Sequence, residues 1–190
     1  MRKNALTLFP ALALLVLCTA CPSISPPPRP DKPVSQYILD MEMDTHAAVN
    51  DEREAESLSR LVMNETLRKV ARAHSQDMID RDFFSHTSPD GGSLGDRLAG
   101  ARVSYVRAGE NIAWNRGYAN PVTVAVEGWM ASPGHRANIL RPEFALTGIG
   151  IAVAPDDAWY FTQVFIDPSK SRGMDHVEIY TSGPIAITAP

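Results

Sequence analysis

Three side chains with the chemistry of a metal or catalytic site are spread along the middle of the sequence. His86 lies in "FFSHTSPDGG", Glu110 in "GENIAW" and His135 in "SPGHRANIL". Two imidazoles and a carboxylate are a ligand set that Zn²⁺ or another divalent cation accepts. The spacings of 24 and 25 residues include no short H-x-x-x-H pair, so only tertiary folding could bring the three together. Residue types alone leave open a metal site, a catalytic centre and ordinary structural side chains.

The first histidine segment is predicted to be a helix followed by a turn. Asn64 is a typical N-cap, and the apolar residues after it recur at helical spacing over about 65–81. His74 lies on the apolar face of this helix, so we interpret it as a core histidine with a hydrogen-bond partner. The helix ends before the turn sequence SPDG at 88–91, which leaves His86 on a loop.

His135 is predicted to begin a helix of its own. An asparagine followed by proline predicts the preceding helix over 121–131. Ser132 precedes a proline and is a good N-cap, so Pro133 takes the first helical position and His135 the third. The positive end of a helix disfavours the imidazolium, and neutral histidine is the form that binds metals.

The sheet is predicted from strand-like runs in the second half of the chain. Segments 149–154 and 159–166 flank Asp156-Asp157 and are typical of an antiparallel hairpin, and 104–114 also has an extended pattern. Large apolar groups on both faces of the second run require cover on both faces. The sequence therefore predicts an α/β protein, a three-layer α/β/α sandwich with a mainly antiparallel central sheet. The tail at 168–190 contains "VEIYTS", a candidate edge strand.

The N-terminus has the order of a bacterial secretory signal followed by a tether. A basic start and an apolar run predict a signal peptide at 1–20, and a segment rich in proline and serine extends over 21–35. Small residues precede Cys21, which resembles the lipidated cysteine of bacterial lipoproteins, although Cys18 stands where such motifs usually have leucine. The alternative is cleavage after Ala20 and secretion. Either pathway places the mature protein outside the cytoplasm.

The charge balance excludes some partners. The whole chain has a formal net charge of −4, and removal of residues 1–20, with two bases and no acids, leaves 16 basic and 22 acidic residues, or −6. A nucleic-acid partner requires a basic face, so we expect none. Attraction to anionic lipid headgroups is disfavoured for the same reason, and membrane attachment would depend on the N-terminal lipid.

Six ordered sequence blocks resemble the CAP superfamily, which covers cysteine-rich secretory proteins, antigen 5 and plant pathogenesis-related proteins. The blocks are "AHSQDM", "FFSHTSPDGG", "GENIAW", "GWMASPGHRANIL", "GIGIAVA" and "YFTQVF". The resemblance covers about 36–167, which we take as the CAP domain. It is to the short bacterial branch, secreted or lipid-anchored and without disulfides. It implies an α/β/α sandwich with a cleft lined by two histidines and two glutamates.

The resemblance implies that His86, Glu110 and His135 occupy three of these four cleft positions. The second glutamate of eukaryotic members lies three residues after the helix tryptophan, and the count from Trp129 reaches Ser132 instead. Glu127 lies about 160° around the helix from Trp129 and is predicted to face solvent. Chemistry that requires paired carboxylates is therefore in doubt.

Two functions remain open from the sequence. The favoured one is a binding module that holds a lipid, glycan or protein ligand at the cleft, with or without a divalent cation such as Zn²⁺. The alternative is a metal-dependent hydrolase of peptide or cell-wall bonds, with His86 and His135 as ligands and Glu110 as general base. A serine hydrolase is disfavoured because the chain has no G-x-S-x-G sequence. Whether the protein is an enzyme stays open.

Overall fold

The structure is a computed structural model that describes residues 34–168 and 177–189. The predicted signal peptide, Cys21 and nearly all of the tether lie outside the described residues. None of the described helices is both long enough and apolar enough to cross a membrane. The helices are α1 (Gln36–Ala55), α2 (Glu65–Asp80), α3 (Leu94–Gly100), α4 (Pro121–Ala131) and α5 (Pro133–Ile139). The strands are β1 (Val62–Met63), β2 (Arg107–Arg116), β3 (Leu146–Val153), β4 (Trp159–Asp167), β5 (Glu178–Thr181) and β6 (Ile185–Thr188).

The strands of the described residues form one sheet in the order β1-β3-β4-β2-β5, with β6 also paired to β2. Strands β3 and β4 form the predicted antiparallel hairpin, in which Val153 lies opposite Trp159. Strand β2 pairs with β4 in the antiparallel sense along its length. The short strands at the margins, β1, β5 and β6, pair in parallel. The long central ladders are thus antiparallel, which confirms the predicted sheet.

Helices cover both faces of the sheet because β4 carries apolar side chains on both faces. On one face, Val164 and Ile166 pack with residues of α2 and α3. On the other face, Phe161 and Phe165 pack with residues of α1, α4 and α5, including the fully buried Trp129. Alternation along a strand sends successive side chains to opposite faces, so each layer of helices meets its own apolar surface. The predicted three-layer α/β/α sandwich is confirmed.

The predicted helix starts are confirmed, with one difference at α5. Asn64 accepts a hydrogen bond from the Leu67 amide at the start of α2, and an asparagine caps α4 in the same way. Ser132 occupies the N-cap position of α5, but its side chain makes no capping bond. Its hydroxyl instead lies 2.8 Å from the His135 ring. The predicted cap is therefore wrong in its side-chain contact, and that contact orients a site residue.

Candidate functional site

Glu110 lies in the middle of β2 and is fully buried. Its Oε1 lies 2.8 Å from His86 Nδ1. The Arg97 guanidinium of α3 donates to both carboxylate oxygens, at 2.9 and 2.7 Å. A buried carboxylate is tolerated only when it is paired and hydrogen-bonded, and Glu110 has the Nη2 group of Arg97 and the imidazole of His86 as partners. We call His86, Arg97 and Glu110 the Glu110 cluster.

Both ring nitrogens of His86 face oxygen acceptors. Nδ1 contacts the Glu110 carboxylate, and Nε2 contacts the backbone carbonyl of Ser182, which lies between β5 and β6. A carbonyl and a carboxylate can only accept, so in each contact the hydrogen bond is donated by the ring nitrogen of His86. The Arg97 guanidinium also donates to the His86 carbonyl at 3.1 Å, which fixes the loop that carries the histidine.

His135 is buried at the start of α5, beside this cluster. Its Nδ1 contacts the Ser132 hydroxyl, and its Nε2 has no hydrogen-bond partner among the described residues. Burial, and to a smaller extent the charge of His86, lower the pKa of His135 to about 4. The ring is therefore neutral near pH 7, as the helix-end argument predicted, although burial is the main cause.

Two buried asparagines attach α5 to β2. Asn111 donates to the His135 carbonyl at 3.1 Å, and Asn138 donates to the Asn111 side chain at 2.9 Å. Asn111 follows Glu110 on β2, so these bonds hold the start of α5 next to the strand that carries the carboxylate. The structure thus brings His86 and Glu110 into direct contact and holds His135 in the same region.

The charge of Glu110 is stabilised within the cluster. Burial acts to raise the pKa of this carboxyl, but the His86 hydrogen bond and the Arg97 charge outweigh it and lower the pKa below its usual range. His74 lies 3.9 Å from the same carboxylate. Burial lowers the pKa of His74, and the nearby carboxylate only partly offsets this effect.

His74 is a core histidine with a hydrogen-bond partner, as predicted. Its Nε2 lies 3.1 Å from the Ser85 carbonyl, so this nitrogen carries the proton. Its Nδ1 has no partner among the described residues. Its position next to Glu110 was not anticipated, since its helical face indicated burial but not what lay opposite.

The arrangement does not fit the metal site suggested by the sequence. Both nitrogens of His86 and both oxygens of Glu110 are in hydrogen bonds. Of the three residues, His135 alone keeps an atom, Nε2, that is not hydrogen-bonded and could bind a metal ion. Within 34–168 and 177–189, no group of three or more His, Cys, Asp or Glu side chains is arranged to hold a metal ion. Zn²⁺ binding by His86, Glu110 and His135 stays a prediction, and it would require the cluster to rearrange.

Neither the serine-hydrolase arrangement nor the metal-dependent arrangement with Glu110 as general base is formed by these residues. Ser132 and His135 are in contact, but the carboxylate contacts His86 instead, so no serine–histidine–acid chain forms. Glu127 is exposed on α4, as predicted, and supplies no second acid. Glu110 would have to release Arg97 before it could act as a base.

Two cluster partners were missed from the sequence. Arg97 lies in "SLGDRLAG", a segment with no recognisable motif. The available signal is indirect: a buried carboxylate needs a cationic partner. Ser182 acts through its backbone carbonyl, which no side-chain pattern reveals. Its position depends on the pairing of the tail with β2.

A cavity of about 440 Å³ lies against this region, between α2, the loop that follows it and α3. His74 and Arg97, which both lie close to the Glu110 carboxylate, are among its lining residues. The others are charged, hydroxyl-bearing or small, and no large apolar side chain is present: Ala73, Asp77, Arg81, Ser88, Asp90, Gly92 and Asp96. Such a lining fits a polar ligand better than a hydrocarbon chain.

Sequence comparison finds relatives over this region. The model of the cysteine-rich secretory protein (CAP) family matches residues 46–165. The uncharacterized protein YkwD of Bacillus subtilis is 47% identical over 117 residues, which are 62% of this chain and 43% of that protein. The uncharacterized membrane protein YlbC of the same species is 41% identical over 109 residues, or 57% and 29% of the two chains. The match thus spans less than half the length of each of these curated relatives.

Solved structures share the fold. An extracellular Bacillus anthracis protein containing an SCP domain superposes with a TM-score of 0.60 at 33% identity, over 72% of this chain and 45% of that chain. An outer surface protein of Borrelia burgdorferi superposes with a TM-score of 0.61 at 20% identity, over 67% and 92% of the two chains. The second likeness is one of fold alone.

Proposed function

Because this chain belongs to the cysteine-rich secretory protein (CAP) family, we propose that it is a binding module that holds a polar ligand, a glycan or a peptide, outside the cytoplasm. The observation that carries the proposal is the lining of the cavity beside the Glu110 cluster. It offers histidine, arginine, aspartate and serine side chains and no large apolar side chain. A lipid chain would remove water from these charged groups without offering them a hydrogen bond, whereas a polar ligand can hydrogen-bond to them.

Binding is favoured over catalysis by the state of Glu110. Its two oxygens are occupied by Arg97 and His86, and its pKa is lowered, so it is a poor proton acceptor. A metal-dependent hydrolase would need this same residue as ligand or base. The exposed Glu127 offers no substitute.

The location outside the cytoplasm is supported by the N-terminal sequence and by a relative. Residues 1–20 have the order of a secretory signal, and Cys21 follows two small residues. The similar protein of Bacillus anthracis is described as extracellular. We extend this location to the present chain, with a lipid on Cys21 as the membrane anchor and secretion after cleavage at Ala20 as the alternative.

A thermal-shift screen tests the proposed ligand class. Oligosaccharides, short peptides and fatty acids are added separately to the full chain, and a polar compound is expected to raise the melting temperature. Arg81→Gln should abolish that shift, because Arg81 lines the cavity and pairs there with Asp77 and Asp90. Arg116→Gln is the matched control, since this exposed arginine pairs with Asp156 instead. Stabilisation by fatty acids alone would contradict the proposal.

The metal prediction has its own test in a calorimetric titration with Zn²⁺. A metal site formed by the two histidines requires affinity to fall at least about tenfold, or roughly 1.4 kcal/mol, in both His86→Ala and His135→Ala. The exposed Glu127→Ala should leave it unchanged. The wild type must also bind Zn²⁺ measurably, which needs the cluster to rearrange because His135 Nε2 is the ring nitrogen of these two histidines that has no hydrogen bond. Undiminished binding in both histidine variants would contradict the metal site.

A further inference from the structure

The tail of the chain adds two strands to the outer edge of β2. Strand β5 pairs in parallel with the first half of β2, and β6 pairs in parallel with the second half. The contacts start where the Glu178 amide donates to the Val106 carbonyl and end where the Ala189 amide donates to the Arg116 carbonyl. We call β5, β6 and the residues between them the tail strands. They occupy an edge that would otherwise present unpaired backbone groups to solvent.

Glycines on three different elements make room for the tail strands. A Cβ at Gly134 of α5 would lie 2.6 Å from the Ser182 hydroxyl oxygen, and one at Gly128 of α4 would lie 2.7 Å from the end of the Ile187 side chain. A Cβ at Gly95 of α3 would lie 3.2 Å from Ile179. The space left by these three glycines is filled by residues of the tail strands. The surface beside β2 is therefore shaped to hold an extended chain.

The tail strands also close the Glu110 cluster. The Ser182 carbonyl, placed where the chain passes from β5 to β6, accepts from His86 Nε2. His86 therefore uses one nitrogen for the buried carboxylate and the other for an extended backbone. That contact depends on main-chain geometry and needs no particular side chain at position 182.

The side chains of the tail strands are exposed or partly buried, and none is fully buried. Ile185 and Ile187 face α4, whereas Ala186 and Thr188 on the opposite face are exposed. The Tyr180 ring packs under the Arg141 guanidinium at 3.6 Å. Each of the two strands has four residues, which is too short for independent stability. A segment held by backbone pairing, an exposed ion pair between Glu178 and Arg107 and partly buried side chains is one that a similar segment can replace.

We propose that the outer edge of β2 is a peptide-binding site, which the chain's own tail strands occupy. The partner that fits is an extended segment of another protein that pairs with β2 in parallel. It carries β-branched apolar residues at alternate positions over Gly128 and offers a backbone carbonyl to His86. Recognition of this kind takes affinity from main-chain hydrogen bonds and specificity from alternate side chains. The proposal goes beyond the polar-ligand function, since it does not require the cavity to bind anything.

Release of the tail in the full chain tests the proposal. Ile185→Asp with Ile187→Asp places two charges against α4 and should free the edge. Ala186→Asp with Thr188→Asp is the matched control, because it adds the same charge to the exposed face of the same strand. The probe is a fluorescent peptide with the sequence of residues 177–190, and binding is measured by anisotropy.

The release variant is expected to bind the peptide at least about tenfold more tightly than the wild type and the control, in which the tail competes for the edge. A peptide with both isoleucines replaced by aspartate should not bind. Equal binding by wild type and release variant, or none by a folded release variant, would overturn the proposal. If the aspartate pair prevents folding, alanine at both positions loosens the tail without buried charge, and the same outcomes apply.

Two results distinguish the β2 edge site from exchange of the tail between two copies of the chain and from binding in the cavity. Concentration-dependent dimerisation of the wild type that disappears in the release variant would show that the tail occupies a second copy, and would overturn the intramolecular arrangement. Arg81→Gln should leave peptide binding by the release variant unchanged, because Arg81 lines the cavity and not the β2 edge. Loss of binding in that combination would contradict the edge site, whatever the outcome of the polar-ligand screen.

Discussion

At the scale of single residues, the cluster depends on a carboxylate that has no access to water. Glu110 is fully buried, and Arg97 contacts both of its oxygens. Arg97→Met should destabilise the fold by about 3–5 kcal/mol, because it leaves a buried charge with an imidazole as its remaining close partner. The free energy of unfolding from denaturant titration gives the measurement.

The matched control for this pair is a double-mutant cycle. Glu110→Gln removes the charge, so adding it to Arg97→Met should recover stability, with a coupling of about 2 kcal/mol. Additive effects of the two substitutions would mean that the ion pair contributes no net coupling, and would remove the basis for the cluster.

The pH dependence of stability should reveal the buried state of His135. Its pKa falls from 6.5 to about 4 on folding. Above pH 6.5 the ring is neutral in both the folded and the unfolded chain. As the pH falls towards 4, the unfolded chain binds a proton at this ring and the folded chain does not. Stability is therefore lost between these values, by about 2 kcal/mol at pH 5.

The His135→Gln variant should lack this share of the pH dependence. The difference in unfolding free energy between pH 7.5 and pH 5 should shrink by about 2 kcal/mol relative to the wild type. His74, whose pKa is also lowered by burial, keeps its own contribution with the same sign in both proteins. An identical pH profile in the variant would show that His135 titrates normally in the folded chain.

The candidate site was predictable only in part. His86, Glu110 and His135 could be named from the sequence blocks, since the residue types and their order carried the information. Their partners could not, because Arg97 comes from a short helix with no local mark and Ser182 acts through its backbone. Hydrogen-bond partners depend on tertiary distances, and these follow from the whole sheet.

At the scale of elements, α2 lies unusually close to β3. A Cβ at Gly150 would lie 1.9 Å from the Arg72 backbone nitrogen, and one at Gly148 would lie 2.2 Å from that of Arg68. Gly150→Ala should therefore cost about 3 kcal/mol or more, because helix backbone cannot yield as a flexible side chain can. Gly100→Ala is the control, with nothing within 4 Å, and should stay within about 0.5 kcal/mol of wild type. Denaturant midpoints of both variants check the prediction, and an unaffected Gly150→Ala would contradict the close packing.

The long elements followed from local patterns. Caps and periodicity predicted α2 and α4, and the two apolar runs predicted the β3–β4 hairpin, because each of these features lies within a few residues of sequence. Local patterns do not fix the seating of α2 on β3 or the parallel pairing of β5 and β6 with β2. Both contacts depend on residues that are distant in the sequence. Gly148 and Gly150, for example, leave the space on β3 that the backbone of α2 occupies. The "GIGIAVA" block thus acts as a packing surface for a helix.

At the scale of the whole molecule, the folded domain is predicted to be held at a membrane by its N-terminus. Net charge gives no attraction to anionic lipid, since the chain is acidic with or without its first twenty residues. Attachment must then come from a hydrocarbon anchor, and the cysteine that follows two small residues is the group that could carry it.

The anchor is tested by fractionating a bacterial host that expresses the chain. Wild type should sediment with membranes, and Cys21→Ser should move to the soluble fraction, because no other thiol follows the predicted cleavage site. Cys18→Leu is the matched control: it removes the other thiol and supplies the residue that such motifs usually have at this position, so the mature protein should stay with the membranes. Labelling with a radioactive fatty acid should mark the wild type and the control but not Cys21→Ser. A wild-type chain that is soluble and begins at an unmodified Cys21 would instead establish secretion after cleavage at Ala20, and the domain would then act free of the envelope.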